Sequence, residues 1–378
     1  LSAGGEEYAF TFLIEKINNV EITPAQLALD PCTAGCTVTD VNTGKVRALV
    51  TYPSYNNNML SGSVDAAYFS QLNEDLSLPL YNNATQVVKA PGSTFKPITA
   101  IAGLEEGVID ISEEVDCTGT YEEVFPPIKC WINPGRHGKM SVSDALGNSC
   151  NYFVSEVAHR LSTNEEGLYS TDRGLEIIRE YATKFGLDRP SGIEIAESSP
   201  KLSTEDPERS SMGQGTNAYT NVQLSRYVTA LANRGKVFEL SLIDKVTSSD
   251  GTVVEDHVPQ ISSLVDIADT TWDAVQSGMR RVITDSSSKR IFRDLEVEIA
   301  GKTGTAQENT RANHAFFISY GPYANPEISV TVNIPYGYAS ANAATIAKSV
   351  YRFYYGYTSL EDIIGAGALD ASNVVIGD

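Results

Sequence analysis

Pro91-Gly92 restricts this chain more than any other feature, because it halts whatever precedes it and hands over to a segment that has to be buried. Pro97 fits a helix only in its first turn, where its missing N–H has no intrahelical partner to lose. A helix is therefore expected to begin at Ser93. Ile98, Ile101, Ala102 and Leu104 spread around this helix instead of lining one stripe, so other elements must surround it. A central helix needs a large core, and 378 residues at 42% hydrophobic supply one, as two domains or a single large one.

Upstream, Thr37–Val41 and Val46–Tyr52 flank Asn42-Thr43-Gly44-Lys45, which reads as a β-hairpin. Residues 53–83 read as loop, and residues 110–140, with Pro126-Pro127 and Pro134-Gly135, as irregular. Further helices are expected near 141–146, 152–161, 172–185, 220–233, 270–283 and 340–354. Strands are expected near 236–247, 297–303, 313–320 and 327–334, as consecutive antiparallel pieces late in the chain. The net charge of -20 excludes nucleic acid and an anionic membrane surface as partners, since both require a basic patch. No run approaches the ~20 apolar residues that span a bilayer, and Leu1 starts no signal peptide. The opening reads as internal to a longer parent, which leaves room for a membrane anchor upstream.

Ser93-Thr94-Phe95-Lys96 is an S-x-x-K pattern. On a helix, positions i and i+3 share a face, so Lys96 is within reach of the Ser93 hydroxyl. Serine is a weak nucleophile until a base takes its proton, and lysine is such a base when burial or a second cation favours its neutral form. A helix start also offers a backbone N–H and a positive dipole end to an oxyanion. The competing reading is an ordinary serine N-cap.

Two further elements follow in order. Ser149-Cys150-Asn151 gives S-x-N. Positions i and i+2 face apart on a helix, so Ser149 and Asn151 face one cleft only from an extended or loop segment. The alternative is a cap for the helix at 152–161. Gly301-Lys302-Thr303-Gly304-Thr305 follows a strand-like run and supplies a fixed cation at Lys302. Gly304 leaves a strand face bare, where a substrate backbone is expected to approach. A P-loop is excluded, because it needs a glycine where Glu296 stands.

S-x-x-K, S-x-N and K-T-G in this order are the set found in β-lactamases and penicillin-binding proteins. The chain resembles the transpeptidase domain of class B penicillin-binding proteins, elongation-type or sporulation-type, from about Val41 to about Gly356. The resemblance also covers Asp40 to Gly44, Met212-Gly213-Gln214-Gly215 and Ala232-Asn233-Arg234-Gly235. It implies the penicillin-recognising α/β fold: an antiparallel sheet of about five strands flanked by helices on both sides, with the Ser93 helix under it. The transpeptidase domain would span 31–357, after a remnant of a non-catalytic segment at 1–30 and before a tail at 358–378.

The same resemblance implies roles. Ser93 would be the nucleophile, Lys96 the general base, Ser149 a proton relay and Asn151 a substrate-amide ligand. Lys302 and Thr303 would hold a carboxylate, with Gly304 and Thr305 lining the substrate and the N–H groups of Ser93 and Thr305 forming the oxyanion hole. The implied activity is D,D-transpeptidation of peptidoglycan stem peptides ending in D-Ala-D-Ala, blocked by β-lactam antibiotics. A glycosyltransferase partner and an extracytoplasmic, membrane-anchored location are implied as well. A β-lactam sensor and a D,D-carboxypeptidase are the alternatives. No glutamate stands in a deacylation motif; Glu165-Glu166 reads as a solvated pair.

Five cysteines are present, an odd number. Cys117, Cys130, His137 and Cys150 have donors that suit tetrahedral zinc, with no position left for water, so the site would be structural. Cys150, between Ser149 and Asn151, must point away from the cleft. A Cys117–Cys130 disulfide and a plain buried Cys150 are competing readings, and Asp116 is a reserve ligand. Some elongation-type class B enzymes resemble this arrangement and carry a metal behind S-x-N. Cys32 and Cys36 form either a small disulfide loop or two free thiols. His314 is expected on a strand surface.

Overall fold

The computed structural model describes residues 5–19, 21–22, 33–307 and 311–365. Five strands form the central sheet: β1 (Ala34–Asp40), β2 (Val46–Tyr52), β3 (Ala300–Ala306), β4 (His314–Gly321) and β5 (Ile328–Ile334). Their order is β3-β4-β5-β1-β2, every neighbour antiparallel. The early hairpin therefore closes on the last strand, with Gly35 opposite Asn333 and Asp40 opposite Ile328. β3, which carries the Lys-Thr-Gly run, is left at the edge.

Five helices matter for the site: α1 (Lys96–Glu105), α2 (Asn151–Ser162), α3 (Asn221–Ala232), α4 (Asp269–Thr284) and α5 (Ser340–Tyr354). One sheet face is apolar. Val38, Phe317, Val330 and Val332 pack there on Ala343, Ala344, Ala347 and Tyr351 of α5. Each of these buried Val and Phe side chains contributes about 1.5–3 kcal/mol. On the opposite face β4 presents Phe316, Ile318 and Tyr320 to the main core, whereas the part formed by β1 and β5 is polar yet buried. Asn221, Ser225 and Thr229, one helical turn apart on α3, meet Thr37, Thr39 and Ser329 at 2.5, 2.9 and 2.8 Å. Asn221 Nδ2 also donates to Thr331 O and Asn333 Oδ1, each at 3.1 Å. Losing one partner would strand a buried polar group at about 1–3 kcal/mol, so this face fixes the register of the helix on the sheet.

Helices thus flank the sheet on both sides, as expected. The helix on the polar face is α3, however, not the Ser93 helix. α1 packs mainly among α2, α4 and the helix Thr171–Lys184, and the 3-10 turn Gly92–Phe95 ahead of it meets β3 and β4. That position explains its all-round apolar surface.

The strand expected at 236–247 is two short pieces, Lys236–Phe238 and Lys245–Thr247, in separate two-stranded sheets. The chain between them is drawn off by Glu194, which accepts from Leu242 N at 2.8 Å and Ser241 Oγ at 2.5 Å. The loop at 53–83 contains a helix, Ala66–Glu74, started by Asp65, whose carboxylate accepts from Ala67 N and Tyr68 N at 3.0 Å. The leading segment contains another, Gly5–Asn18. No helix among the described residues is long and apolar enough to cross a membrane. Cys32 lies outside the described residues, while Cys36 lies in β1, where burial pushes its thiol up to about 12.

Candidate active site

Ser93 lies in the 3-10 turn, so Ser93 and Lys96 fall on one side of the start of α1. Ser93 is buried but for a small exposed fraction, and Lys96 is wholly buried. Lys96 Nζ donates to Ser149 O at 2.6 Å, Asn151 Oδ1 at 2.7 Å and Ser149 Oγ at 3.2 Å. Lys302, also wholly buried, donates to the same Ser149 Oγ at 2.8 Å and to Thr303 O at 3.1 Å. One hydroxyl is thus shared by two buried lysines that are 206 positions apart (302 − 96).

One backbone turn and two hydrogen bonds on the far side hold this geometry. Ser149 adopts a left-handed backbone with φ 53°, rare for a side chain other than glycine. Trp131 Nε1 donates to the Asn148 carbonyl at 2.9 Å, just ahead of it. Asn151 Nδ2 donates to Lys129 O at 3.3 Å. The turn at 149 and the start of α2 at 151 let Ser149 and Asn151 both reach Lys96, while Cys150 points the other way as the N-cap, its sulfur accepting from Phe153 N at 3.4 Å.

Two glycines decide how closely the elements approach. A Cβ on Gly304 would lie 2.7 Å from Thr94 Cγ2 and 2.8 Å from Pro91 O. The face left bare by Gly304 is therefore filled by the Ser93 turn, not kept open for substrate, which corrects the sequence reading. A Cβ on Gly213 would lie 2.0 Å from Gly92 O, and Gly92 N donates to Gly213 O at 3.0 Å. Met212-Gly213-Gln214-Gly215 is thus the backing of the nucleophile turn. Thr303 is buried, and Thr305 Oγ1 is a buried oxygen without a hydrogen-bond partner among the described residues.

Behind Cys150, the ligand atoms of Cys117, Cys130, His137 and Cys150 lie within 4.8 Å of one another. Val115–Cys117 pairs with Gly138–Met140, so Cys117 is brought beside His137. His137 Nδ1 is 3.6 Å from Cys117 Sγ and 3.5 Å from Cys130 Sγ, and the sulfurs of Cys130 and Cys150 are 3.9 Å apart. Tetrahedral zinc with ordinary bond lengths would need about 3.6 Å between nitrogen and sulfur and about 3.8 Å between sulfurs. The donors fit. Hydrogen bonds from Cys117 and Cys150 hold the Cys130 thiol well below its ordinary range. The three cysteines carry free thiols, so no disulfide joins Cys117 and Cys130. Asp116 is exposed, on the other side of its strand, and takes no part.

The family model described as the penicillin binding protein transpeptidase domain matches residues 34–352. The chain belongs to that family. It is 29% identical over 359 residues to the peptidoglycan D,D-transpeptidase MrdA of Haemophilus influenzae, covering 84% of this chain and 52% of that protein. The Escherichia coli K12 enzyme of the same name is 28% identical over 354 residues, covering 84% and 53%. The chain therefore spans about half the length of these curated relatives. A crystal structure of Pseudomonas aeruginosa PBP2 in complex with WCK 5153 superposes with a TM-score of 0.74 at 26% identity, covering 87% of this chain and 75% of that one. These likenesses support a class B transpeptidase domain of the elongation type.

Sequence reasoning missed Trp131 and the backing role of Gly213. Trp131 has no signal of its own beyond following a candidate ligand, because its partner is a backbone carbonyl. His314 is buried, not on a surface, with Nδ1 accepting from Tyr336 N at 3.0 Å. Glu165 and Glu166 are exposed, as expected.

Proposed function

We propose that this chain is the catalytic part of a D,D-transpeptidase that cross-links peptidoglycan stem peptides through an acyl-enzyme on Ser93. The observation that carries this reading is the convergence of Lys96 and Lys302 on Ser149 Oγ beside the Ser93 turn. Two buried ammonium groups so placed disfavour one another, and the neutral amine at Lys96 is the form that serves as a base. Lys96 takes the Ser93 proton as the oxygen attacks the carbonyl of the penultimate D-alanine. The N–H groups of Ser93 and Thr305 receive the oxyanion. Lys302 and Thr303 hold the terminal carboxylate, and Asn151 takes the donor amide.

Collapse of the tetrahedral species breaks the peptide bond, and Ser149 passes a proton to the departing D-alanine nitrogen. An amine from a second stem peptide then attacks the Ser93 ester, forms the cross-link and returns the proton to serine. A β-lactam presents its ring amide at the same point, but its leaving nitrogen stays tethered, so the acyl-enzyme persists.

Cys117, Cys130, His137 and Cys150 would hold one zinc ion, which supplies a structural tie and no chemistry to the reaction. An upstream anchor at the extracytoplasmic face of a bacterial membrane and a glycosyltransferase partner belong to the same reading.

Intact-mass measurement after penicillin treatment tests it. One adduct is expected on the wild-type chain and none on Ser93→Ala; an adduct on that variant refutes the nucleophile. Release of D-alanine from a D-Ala-D-Ala donor, with transfer to an added amine in preference to water, separates the transpeptidase from a carboxypeptidase.

A further inference from the structure

Glu208 is a buried acidic side chain that the mechanism above leaves unused. It lies on a short helix, Pro207–Ser211, begun by Asp206, whose side chain accepts from Arg209 N at 2.8 Å. Both of its carboxyl oxygens are engaged. His159 Nδ1 lies 3.1 Å from Oε1, and the Tyr169 hydroxyl donates to Oε2 at 3.2 Å. The imidazole and the Tyr169 ring stack with centroids 5.0 Å apart, so the two partners also hold each other. A carboxyl group taken out of water needs such partners, and here they come from two other parts of the chain.

What stands at either end of this contact gives it meaning. His159 is on α2, whose first residue is Asn151, about 12 Å back along the helix axis. On the other side, Ser211 Oγ donates to Glu208 O at 2.7 Å, and Ser211 O accepts from Thr99 Oγ1 at 2.7 Å. Thr99 is one turn beyond Lys96 on α1. Gly213 follows, bonded to Gly92 and with no room between them for one more carbon. Arg209 adds a third tie: its guanidinium donates to Pro126 O, on the segment whose Lys129 O receives Asn151 Nδ2. The helix Pro207–Ser211 is therefore bonded to the carrier of Ser149 and Asn151 on one side. On the other it is bonded to the carrier of Ser93 and Lys96.

We infer that Glu208 is a positioning residue for acylation: through His159 and Tyr169 it clasps α2 to the backing of the Ser93 turn, and so sets where S-x-N stands relative to the nucleophile. The inference rests on the acyl-enzyme reading above. Lys96 Nζ meets S-x-N at 2.6, 2.7 and 3.2 Å, and hydrogen bonds weaken as such distances stretch. A slip between the two carriers is thus felt first at the base. Ser93 and the cleft around it remain, so the loss falls on the rate of acylation and not on the binding that precedes it.

Stopped-flow acylation over a range of penicillin concentrations tests this, because it separates the acylation rate constant from the dissociation constant of the complex formed first. Wild type is compared with Ser93→Ala, Glu208→Leu, Glu208→Gln and His159→Phe. Leucine fills the space of Glu208 without a polar atom. Glutamine keeps an acceptor for Tyr169 and a polar partner for His159. Glu208→Leu and His159→Phe are expected to lower the rate constant about tenfold, short of the 10²-fold that about 1 Å of misplacement costs. Their dissociation constants should stay within about twofold of wild type, with one adduct per chain at the end point, and Glu208→Gln should acylate within about threefold of wild type. Acylation of Glu208→Leu at the wild-type rate, a loss that falls on the dissociation constant instead, or a Glu208→Gln no faster than Glu208→Leu overturns the inference. Should Glu208→Leu not fold, His159→Phe is read by the same criteria. In each of these cases Ser93-dependent acylation of the wild type leaves the acyl-enzyme reading standing. No Ser93-dependent adduct on the wild type overturns both.

Discussion

Ser149 and Asn151 face the amino groups of Lys96 and Lys302, while Cys150, between them, faces two other thiols and an imidazole. The two clusters are back to back and differ in what holds them. On the lysine side every distance between 2.6 and 3.2 Å is a hydrogen bond that the chain makes for itself. The thiol side has distances of 3.5 to 3.9 Å, too long for strong bonds and close to the edges of a metal tetrahedron. One cluster is therefore assembled by folding, and the other has the spacing that a bound ion would fill. A left-handed Ser149 joins them, so strain or slack on the thiol side should be felt at the lysines.

The comparison breaks most sharply at Lys96. Lys96→Ala is expected to slow acylation by a fluorescent penicillin about 10²–10⁴-fold in stopped flow, the usual worth of a positioned base. A loss below tenfold removes Lys96 from that role.

Next comes the thiol side. Elemental analysis should find about one zinc per chain, and stripping it with a chelator, or Cys150→Ser, should lower the melting temperature by at least about 5 °C and slow acylation as well. A metal-free protein with an unchanged melting curve and full activity would dissolve the link between the clusters.

Trp131 stands between the two clusters, its ring edge-on to His137 at 5.4 Å and its Nε1 bonded to Asn148 O. Trp131→Phe loses a hydrogen bond worth about 1 kcal/mol, so acylation should slow about fivefold while the melting temperature moves by less than about 2 °C. Equal, proportionate losses in stability and rate would mean that the residue only supports the fold.

The smallest effect belongs to a charge far from both clusters. Burial raises the Asp40 carboxyl, but hydrogen bonds led by Arg47 outweigh it and hold the group below 3.8. Its contribution is therefore present above the unfolded value and lost as pH falls through the lower folded value. Arg47 is about half exposed, so screening keeps the contribution below about 1 kcal/mol. Asp40→Asn should leave acylation at pH 7 unchanged and flatten the stability curve slightly below pH 4; a larger shift in acylation would tie the hairpin to the site.

Much of the site could be read from spacing because it depends on local geometry. Ser93 and Lys96 share one turn, Cys150 alternates with Ser149 and Asn151, and the helices at 142–147, 151–162 and 269–284 follow their apolar periods. Asp65 before Ala66 is a capping signal legible in the sequence, though the helix behind it has a weak apolar period. Other features had no local signal. Trp131 meets a backbone carbonyl, Gly304 yields its space to Thr94, and the chain after Phe238 follows Glu194 from a distant loop.

For Ser93, Lys96, Ser149, Asn151 and Lys302, spacing along the chain already sets residue type, order and the face each takes within its own segment. The same holds for the thiol set, whose donor chemistry is a property of the residues. Long-range packing is what makes Lys96 and Lys302 share one hydroxyl, lays α3 rather than α1 on the sheet, and fills the space beside Gly304 with the Ser93 turn. Local torsions and periods are written into a segment, whereas these contacts join distant segments, some more than two hundred residues apart, and close packing of the whole core sets their distances.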